Sequence, residues 1–260
     1  MRVLLFGTSR LHRPFVKRVG REVFNNVDEN IQVVFPKIGY FHTAAEILQV
    51  IQFFKRPDSI PKELRAYIFR VEPRATTPLN EFDENLELSI RSGSDYAPTL
   101  DLEEIDVLVM EVSSIGVNLH PDGYALHTNP NICENVAYAD LGKNGYYEKF
   151  LPELGVRKFE SKLDDVIGQL KKIKEQIPRA AVVVLGHLRS DNNPNFLRDR
   201  IHNLLDEACL ASGCIYFDTA PFLDEYGWAK TKSGVTDIHH LSLDGENAIG
   251  KSIQELILNI

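Results

Sequence analysis

Cysteine is scarce in this chain of 260 residues: Cys133, Cys209 and Cys214 form an odd set whose spacing matches no metal-ligand frame. Such a set excludes a disulfide framework and a cysteine-rich zinc site, and no metal is expected. Long apolar runs are missing too. No segment approaches the roughly 18 apolar residues that cross a bilayer, and the apolar stretch around Val3–Phe6 gives way to polar sequence too soon for a signal-peptide core. Those absences predict a cytoplasmic chain with no membrane span. Positive charge is in deficit, with 29 Lys and Arg against 37 Asp and Glu, which argues against the basic face that nucleic acid requires. A glycine-rich phosphate loop is lacking as well: Gly7-Thr8-Ser9-Arg10-Leu11-His12 holds one glycine where phosphate cradles use several. No cofactor is expected.

What is present is the composition of a folded protein, with 43% hydrophobic residues, and the length suffices for a sizeable core in one domain. Five apolar runs, Val3–Phe6, Ile31–Phe35, Ile105–Val112, Ala180–Leu185 and Cys214–Phe217, alternate with helical patterns. They lack clean polar alternation, as strands buried on both faces do. Leu163, Val166, Ile167, Leu170, Ile173 and Ile177 recur at steps of three and four and define a helix stripe. Ile201, Leu204, Leu205 and Ala208 repeat that pattern, and so do Ile249, Ile253, Leu256 and Ile257 near the C-terminus. The prediction is a three-layer α/β fold, an open doubly wound sheet of about five parallel strands with flanking helices. Residues 1–260 are read as a single domain with two insertions, at about 57–104 and 116–152, which are rich in proline or in Asn, Gly and Tyr and suit lids or binding surfaces.

The first strand ends at Gly7-Thr8-Ser9, and in such a sheet the functional crevice lies outside the carboxyl ends of the strands. A serine hydroxyl becomes a useful nucleophile only beside a base. Asp237-Ile238-His239-His240-Leu241-Ser242, between the fifth strand and the last helix, supplies one. A carboxylate three positions before a histidine can return to its ring, fix the tautomer and leave the far nitrogen to take the serine proton. The spacing favours His240 over His239.

A G-x-S after the first strand, with D-x-x-H-L-S-x-x-G before the last helix, resembles the SGNH (GDSL-like) hydrolases, with Asp237, His240, Leu241, Ser242 and Gly245 on the C-terminal motif. The resemblance implies an SGNH/flavodoxin-like sheet and a serine ester hydrolase acting on O-acyl, in particular O-acetyl, groups of a carbohydrate through an acyl-serine. It also implies an oxyanion site made by the Ser9 amide, a glycine matched by Gly39, and an asparagine matched by Asn118 in Gly116-Val117-Asn118, where Leu119 replaces the family's aspartate. Pro36-Lys37-Ile38-Gly39-Tyr40-Phe41-His42-Thr43 with Glu46-Ile47-Leu48-Gln49 is similar to the GSCFA-type branch, found around bacterial surface-polysaccharide functions, although Gly-Thr-Ser-Arg departs from Gly-Ser-Cys-Phe.

Arg10 and His12, in a basic cluster with Arg13, Lys17 and Arg18, and His187, Arg189 and Asn192, after the fourth strand, are the candidate substrate-binding residues. Plainer readings stand beside each assignment. Ser9 could be a turn former before a helix opened by Pro14, His240 a neighbour of the Ser242 cap, and the basic cluster a solvated surface. His120, His127 and His187 show no ligand spacing, and Cys209 and Cys214 suit a place in the core. An O-acyltransferase would use the same triad, a non-catalytic binding module in polysaccharide assembly would keep the fold alone, and nucleotide binding lacks its phosphate loop. Oligomeric state is not encoded in any pattern here.

Overall fold

The computed structural model describes residues 1–19, 22–34, 41–69, 100–127, 151–231 and 233–260. Five central strands pair in parallel: β1 (Arg2–Phe6), β2 (Gln32–Val34), β3 (Val107–Glu111), β4 (Ala181–Leu185) and β5 (Ile215–Phe217). All five coincide with apolar runs of the sequence. Their order across the sheet is β2-β1-β3-β4-β5, a doubly wound arrangement whose switch point lies between β1 and β3.

Alternation along the strands builds two cores, because successive side chains leave a strand on opposite faces. Leu4, Phe6, Leu108, Met110, Val182 and Val184 face one side and pack with helices α2 (Ala44–Lys55), α4 (Leu163–Gln176) and α5 (Phe196–Ser212). Val3, Leu5, Val107, Val109, Val183 and Leu185 face the other and meet Ile249, Ile253 and Ile257 of helix α7 (Leu243–Leu258). The helix stripes at 163–177, 201–208 and 249–257 are these buried faces. Cys209 and partly buried Cys214 sit in the first core.

Helix α2 starts at a reciprocal cap in which Thr43 accepts from the Glu46 amide and Glu46 accepts from the Thr43 amide. Of the two proline- or asparagine-rich stretches, residues 57–69, 100–104, 116–127 and 151–152 are described, among them helix α3 (Lys62–Ile68) and the segment Gly116–Leu119. Gly116–Leu119 pairs antiparallel with Ala125–Leu126 and with Arg157–Glu160 in a separate three-stranded sheet. Leu64, Ile68 and Leu126 join the first core.

The sequence differs from the structure just after Ser9. Pro14 opens no helix: α1 (Ser9–His12) is a single turn, Arg13–Phe15 form a 3₁₀ turn, and Val16–Val19 begins a hairpin with Glu22–Asn25. Proline fixes φ for one turn, but Val16 and Val19 are β-branched and favour extended chain. Among the described residues no helix is long and apolar enough to cross a membrane.

Candidate active site

The loops leaving β1 and β3 meet at the switch point. Gly7 follows β1 at a point where nothing larger fits: a Cβ there would lie 2.8 Å from Glu111 Cβ and 2.9 Å from Leu11 Cδ2. The chain can therefore turn hard against β3. Thr8 caps α1, its side chain accepting from the Arg10 amide at 3.3 Å. Ser9 follows as the first residue of α1, a position whose amide has no acceptor within its own helix.

Glu111, the last residue of β3 and 2% exposed, fixes this turn from below. Its Oε2 accepts the Thr8 amide at 2.9 Å and the Thr8 hydroxyl at 2.6 Å, while Oε1 accepts Arg10 Nε at 2.6 Å. Burial alone would raise the Glu111 carboxyl, but the Arg10 charge and the Thr8 donors hold it below the ordinary glutamate range. The carboxylate stays ionised. Arg10 Nη1 in turn donates to His187 Nε2 at 3.4 Å.

The second half of the site rides on a hairpin of Trp228–Lys230 with Thr236–Leu241. Ser242 ends it and caps α7, accepting the Gly245 amide at 3.2 Å, so His240 is held next to a fixed helix start. Its ring bridges the two halves: Nε2 lies 2.9 Å from Ser9 Oγ, and Nδ1 lies 2.8 Å from Asp237 Oδ2. An ionised carboxylate only accepts, so Nδ1 carries the proton and Nε2 is left to accept from the serine hydroxyl. The bond from His240 holds the Asp237 carboxyl below the usual aspartate range, aided by the His239 amide at 2.9 Å. Asp237 is 28% exposed and His240 17%, so the chain of bonds is partly open to solvent.

The other sequence candidates are distributed unevenly. His187 is half-buried, donates through Nδ1 to Leu188 O at 3.1 Å and is pushed down to about 4 by burial and by the charges of Arg10 and Arg198. It is a neutral acceptor for Arg10. The Nε2 of His12 is buried, and burial lowers that ring to about 3 despite the Glu111 charge. Arg189 gives Nε and Nη2 to Asp218 at 3.0 and 2.8 Å and Nη1 to Asp191 at 2.6 Å. Asn192 is exposed, with its amide 3.4 Å from Asp224 Oδ1. Asn118 stands on the small antiparallel sheet, opposite Leu126 and Lys158, and its buried side-chain nitrogen has no hydrogen-bond partner among the described residues. Gly39 lies outside the described residues. His239 is exposed, His120 belongs to the Asp122 turn, and His127 is buried with its ring 5.9 Å from that of His42.

Sequence reasoning missed Glu111, His42 and Arg198. A charged residue inside the apolar run 105–112 was the available signal for Glu111, since a buried carboxylate needs partners. His42 gave no such signal. It anchors the loop after β3 by accepting the Ser113 and Ser114 amides at 3.0 and 2.9 Å on its carbonyl, with Nδ1 3.0 Å from Ser113 Oγ.

An α/β protein with a hydrogen-bonded serine, histidine and aspartate at the switch point of its sheet is the class defined by this geometry. The chain belongs to the TviD N-terminal domain family, whose profile matches residues 1–137. That match includes Ser9 and Glu111 and stops short of Asp237 and His240. No curated protein matches the sequence. Among solved structures, the chain is similar to a family two carbohydrate esterase from Cellvibrio japonicus, at 10% identity over 99% of this chain and 60% of that one, TM-score 0.41. A carbohydrate esterase family 2 enzyme with a carbohydrate-binding domain from Corynascus thermopiles (Myceliophthora fergusii) shares 15% identity over 64% of this chain and 41% of that one, TM-score 0.33. An α/β hydrolase from the metagenome of Lake Arreo, Spain, shares 13% over 98% and 94%, TM-score 0.37. The chain thus spans less than two thirds of either carbohydrate esterase, and at these TM-scores the functional assignment rests on the residues themselves.

Proposed function

We propose that the chain is a serine O-acyl esterase of the SGNH kind, acting on O-acyl, in particular O-acetyl, groups of a carbohydrate. The observation that carries this reading is the unbroken path from Ser9 Oγ through His240 Nε2 and Nδ1 to Asp237 Oδ2, at 2.9 and 2.8 Å.

In this mechanism His240 Nε2 takes the Ser9 proton as Oγ attacks the ester carbonyl carbon, giving a tetrahedral oxyanion. Asp237 keeps the ring oriented and stabilises the imidazolium. Collapse breaks the bond to the sugar oxygen, which leaves with the proton from His240, and the acyl group stays on Ser9. Water then gives its proton to His240, attacks the acyl carbon and releases the carboxylic acid, with the proton returning to Ser9. The sequence resemblance assigns the oxyanion to the Ser9 amide, to Gly39 and to the side chain of Asn118, whose buried nitrogen has no other hydrogen-bond partner among the described residues. Each such donor contributes roughly 10²–10³ in rate. The carbohydrate as the alcohol portion follows from the sequence resemblance.

Acetate release from an aryl acetate and from acetylated oligosaccharides tests the reading. Wild-type protein releases acetate and folded Ser9→Ala does not; equal rates for the two would leave a binding module instead. Addition of a free sugar separates hydrolysis from transfer, because a transferase moves the acyl group to the sugar hydroxyl in place of water.

A further inference from the structure

The hairpin that carries Asp237 and His240 is poorly anchored by its own residues. Thr236, Ile238 and His239 are exposed, the pairing with Trp228–Lys230 contains an irregularity between Trp228 and Ala229, and the hairpin stands outside the central sheet. Its base is secured by buried Leu241 and by the Ser242 amide on Gly227 O at 3.0 Å. The other end, where Asp237 sits, has no such anchor in the core.

Arg198 supplies one. It lies in the first turn of α5, its amide capped by Asn195 at 3.2 Å, and its guanidinium reaches both halves of the crevice. Nη2 donates to Ile238 O, between Asp237 and His240, at 3.0 Å, and Nη1 donates to Leu188 O, also at 3.0 Å. The carbon Cζ lies 4.9 Å from the centre of the Trp228 ring, on the partner strand of the hairpin. One planar group thus grips both strands of the hairpin and fixes them to the loop after β4. Leu188 O also accepts from His187, whose Nε2 accepts from Arg10, which holds Glu111 and hence Thr8. A continuous set of bonds therefore runs from the residue before Ser9 to the residue after Asp237.

We propose that Arg198 is a positioning residue that sets the height of the His240–Asp237 pair relative to Ser9. The proposal rests on the esterase reading given above. Arginine suits the task because its planar fork serves two carbonyls and an aromatic face at once, whereas lysine offers a single point of charge. Displacement of a catalytic base by about an ångström is enough to cost on the order of 10²-fold in rate.

The test compares wild type, Arg198→Met, Arg198→Lys and Arg198→Ala in kcat and KM on an aryl acetate, in thermal midpoint, and in the low-field proton resonance of the His240 Nδ1–H bonded to Asp237. Arg198→Met is expected to lower kcat roughly 10- to 100-fold with KM nearly unchanged, to broaden or shift the resonance, and to melt cooperatively near the wild-type temperature. Arg198→Lys is expected to recover part of kcat, and millimolar guanidinium to restore part of the activity of Arg198→Ala. Wild-type kcat together with an unchanged resonance in Arg198→Met overturns the proposal, as does a loss of kcat no larger than the loss of folded protein. The resonance is read without turnover, so an inactive wild-type protein would defeat the esterase reading while leaving the positioning of His240 by Arg198 open to measurement.

Discussion

The carboxylate of Glu111 lies directly under Thr8, accepting both its amide at 2.9 Å and its hydroxyl at 2.6 Å through one oxygen. The other oxygen serves Arg10 Nε and Nη2, both at 2.6 Å. The residues on either side of Ser9 are thereby fastened to one buried anion at the end of β3. A buried pair broken from one side costs about 3–5 kcal/mol, because the surviving charge is left uncompensated. Glu111→Ala and Arg10→Ala should therefore both destabilise strongly: the first leaves the Arg10 charge and the Thr8 donors without their acceptor, and the second leaves a carboxylate only 2% exposed without its counter-charge. The double variant should lose much less than the sum. Urea denaturation of the three proteins checks this; additive losses would contradict the pairing.

Gly250 of α7 faces the turn that follows α1, and a Cβ there would lie 2.3 Å from the Pro14 carbonyl oxygen. Backbone cannot move aside cheaply, so Gly250→Ala should lower the thermal midpoint and disturb the helix that starts beside His240. Gly168 in α4 is the control, because a Cβ there meets nothing within 4 Å. Gly168→Ala should be neutral or stabilise by up to about 1 kcal/mol. Equal behaviour of the two substitutions in a melting experiment would show that α7 is not packed as described.

Glu46 accepts the His42 and Thr43 amides and the Thr43 hydroxyl through Oε2 at 2.8–2.9 Å, while its Oε1 is buried without a partner among the described residues. Burial, opposed by those bonds, raises its carboxyl from 4.5 to about 7. The folded state then binds the proton more tightly than the unfolded state, so this group's contribution is complete below pH 4.5 and declines as pH rises to 7. His12 and His187, lowered to about 3 and about 4, act in the opposite sense and favour folding above pH 6.5. Glu46→Gln removes one of these terms while keeping an acceptor for the cap. Its thermal midpoint relative to wild type should rise steadily between pH 4.5 and pH 7 and level off above; a constant difference across that range would refute the titration.

The five central strands were legible because each lies in a run dominated by apolar residues, interrupted only at Gln32, Asp106 and Glu111, and a strand buried on both faces needs little else. The pairing of Asp237 with His240 was legible because three-residue spacing is a local property. Ser9 was joined to them by chain order and by the rule that ligands gather at strand ends. The pairing of Val16–Val19 with Glu22–Asn25 was not legible, since Pro14 and the basic residues around it read equally well as a helix start. Arg198 was hidden for a different reason: an arginine in the first turn of a helix resembles any solvated cation until the loop after β4 and the 236–241 strand are brought to it. Arg189 shows the converse. Its place after β4 suggested a substrate contact, but Asp218 and Asp191 take up its Nε, Nη1 and Nη2.

The central claim is that Ser9 becomes acylated with His240 as its base. Rapid acid quench of the protein during turnover of an aryl acetate, followed by intact mass and peptide mapping, measures this directly. The account predicts a species heavier by one acetyl group, located on the peptide containing Ser9, absent in Ser9→Ala and strongly reduced in His240→Ala. Asp237→Ala should retain more acylation than either, because the carboxylate orients the base and does not attack. Acetylation of similar extent in wild type and Ser9→Ala, or none in a wild-type protein that does release acetate, would contradict the account.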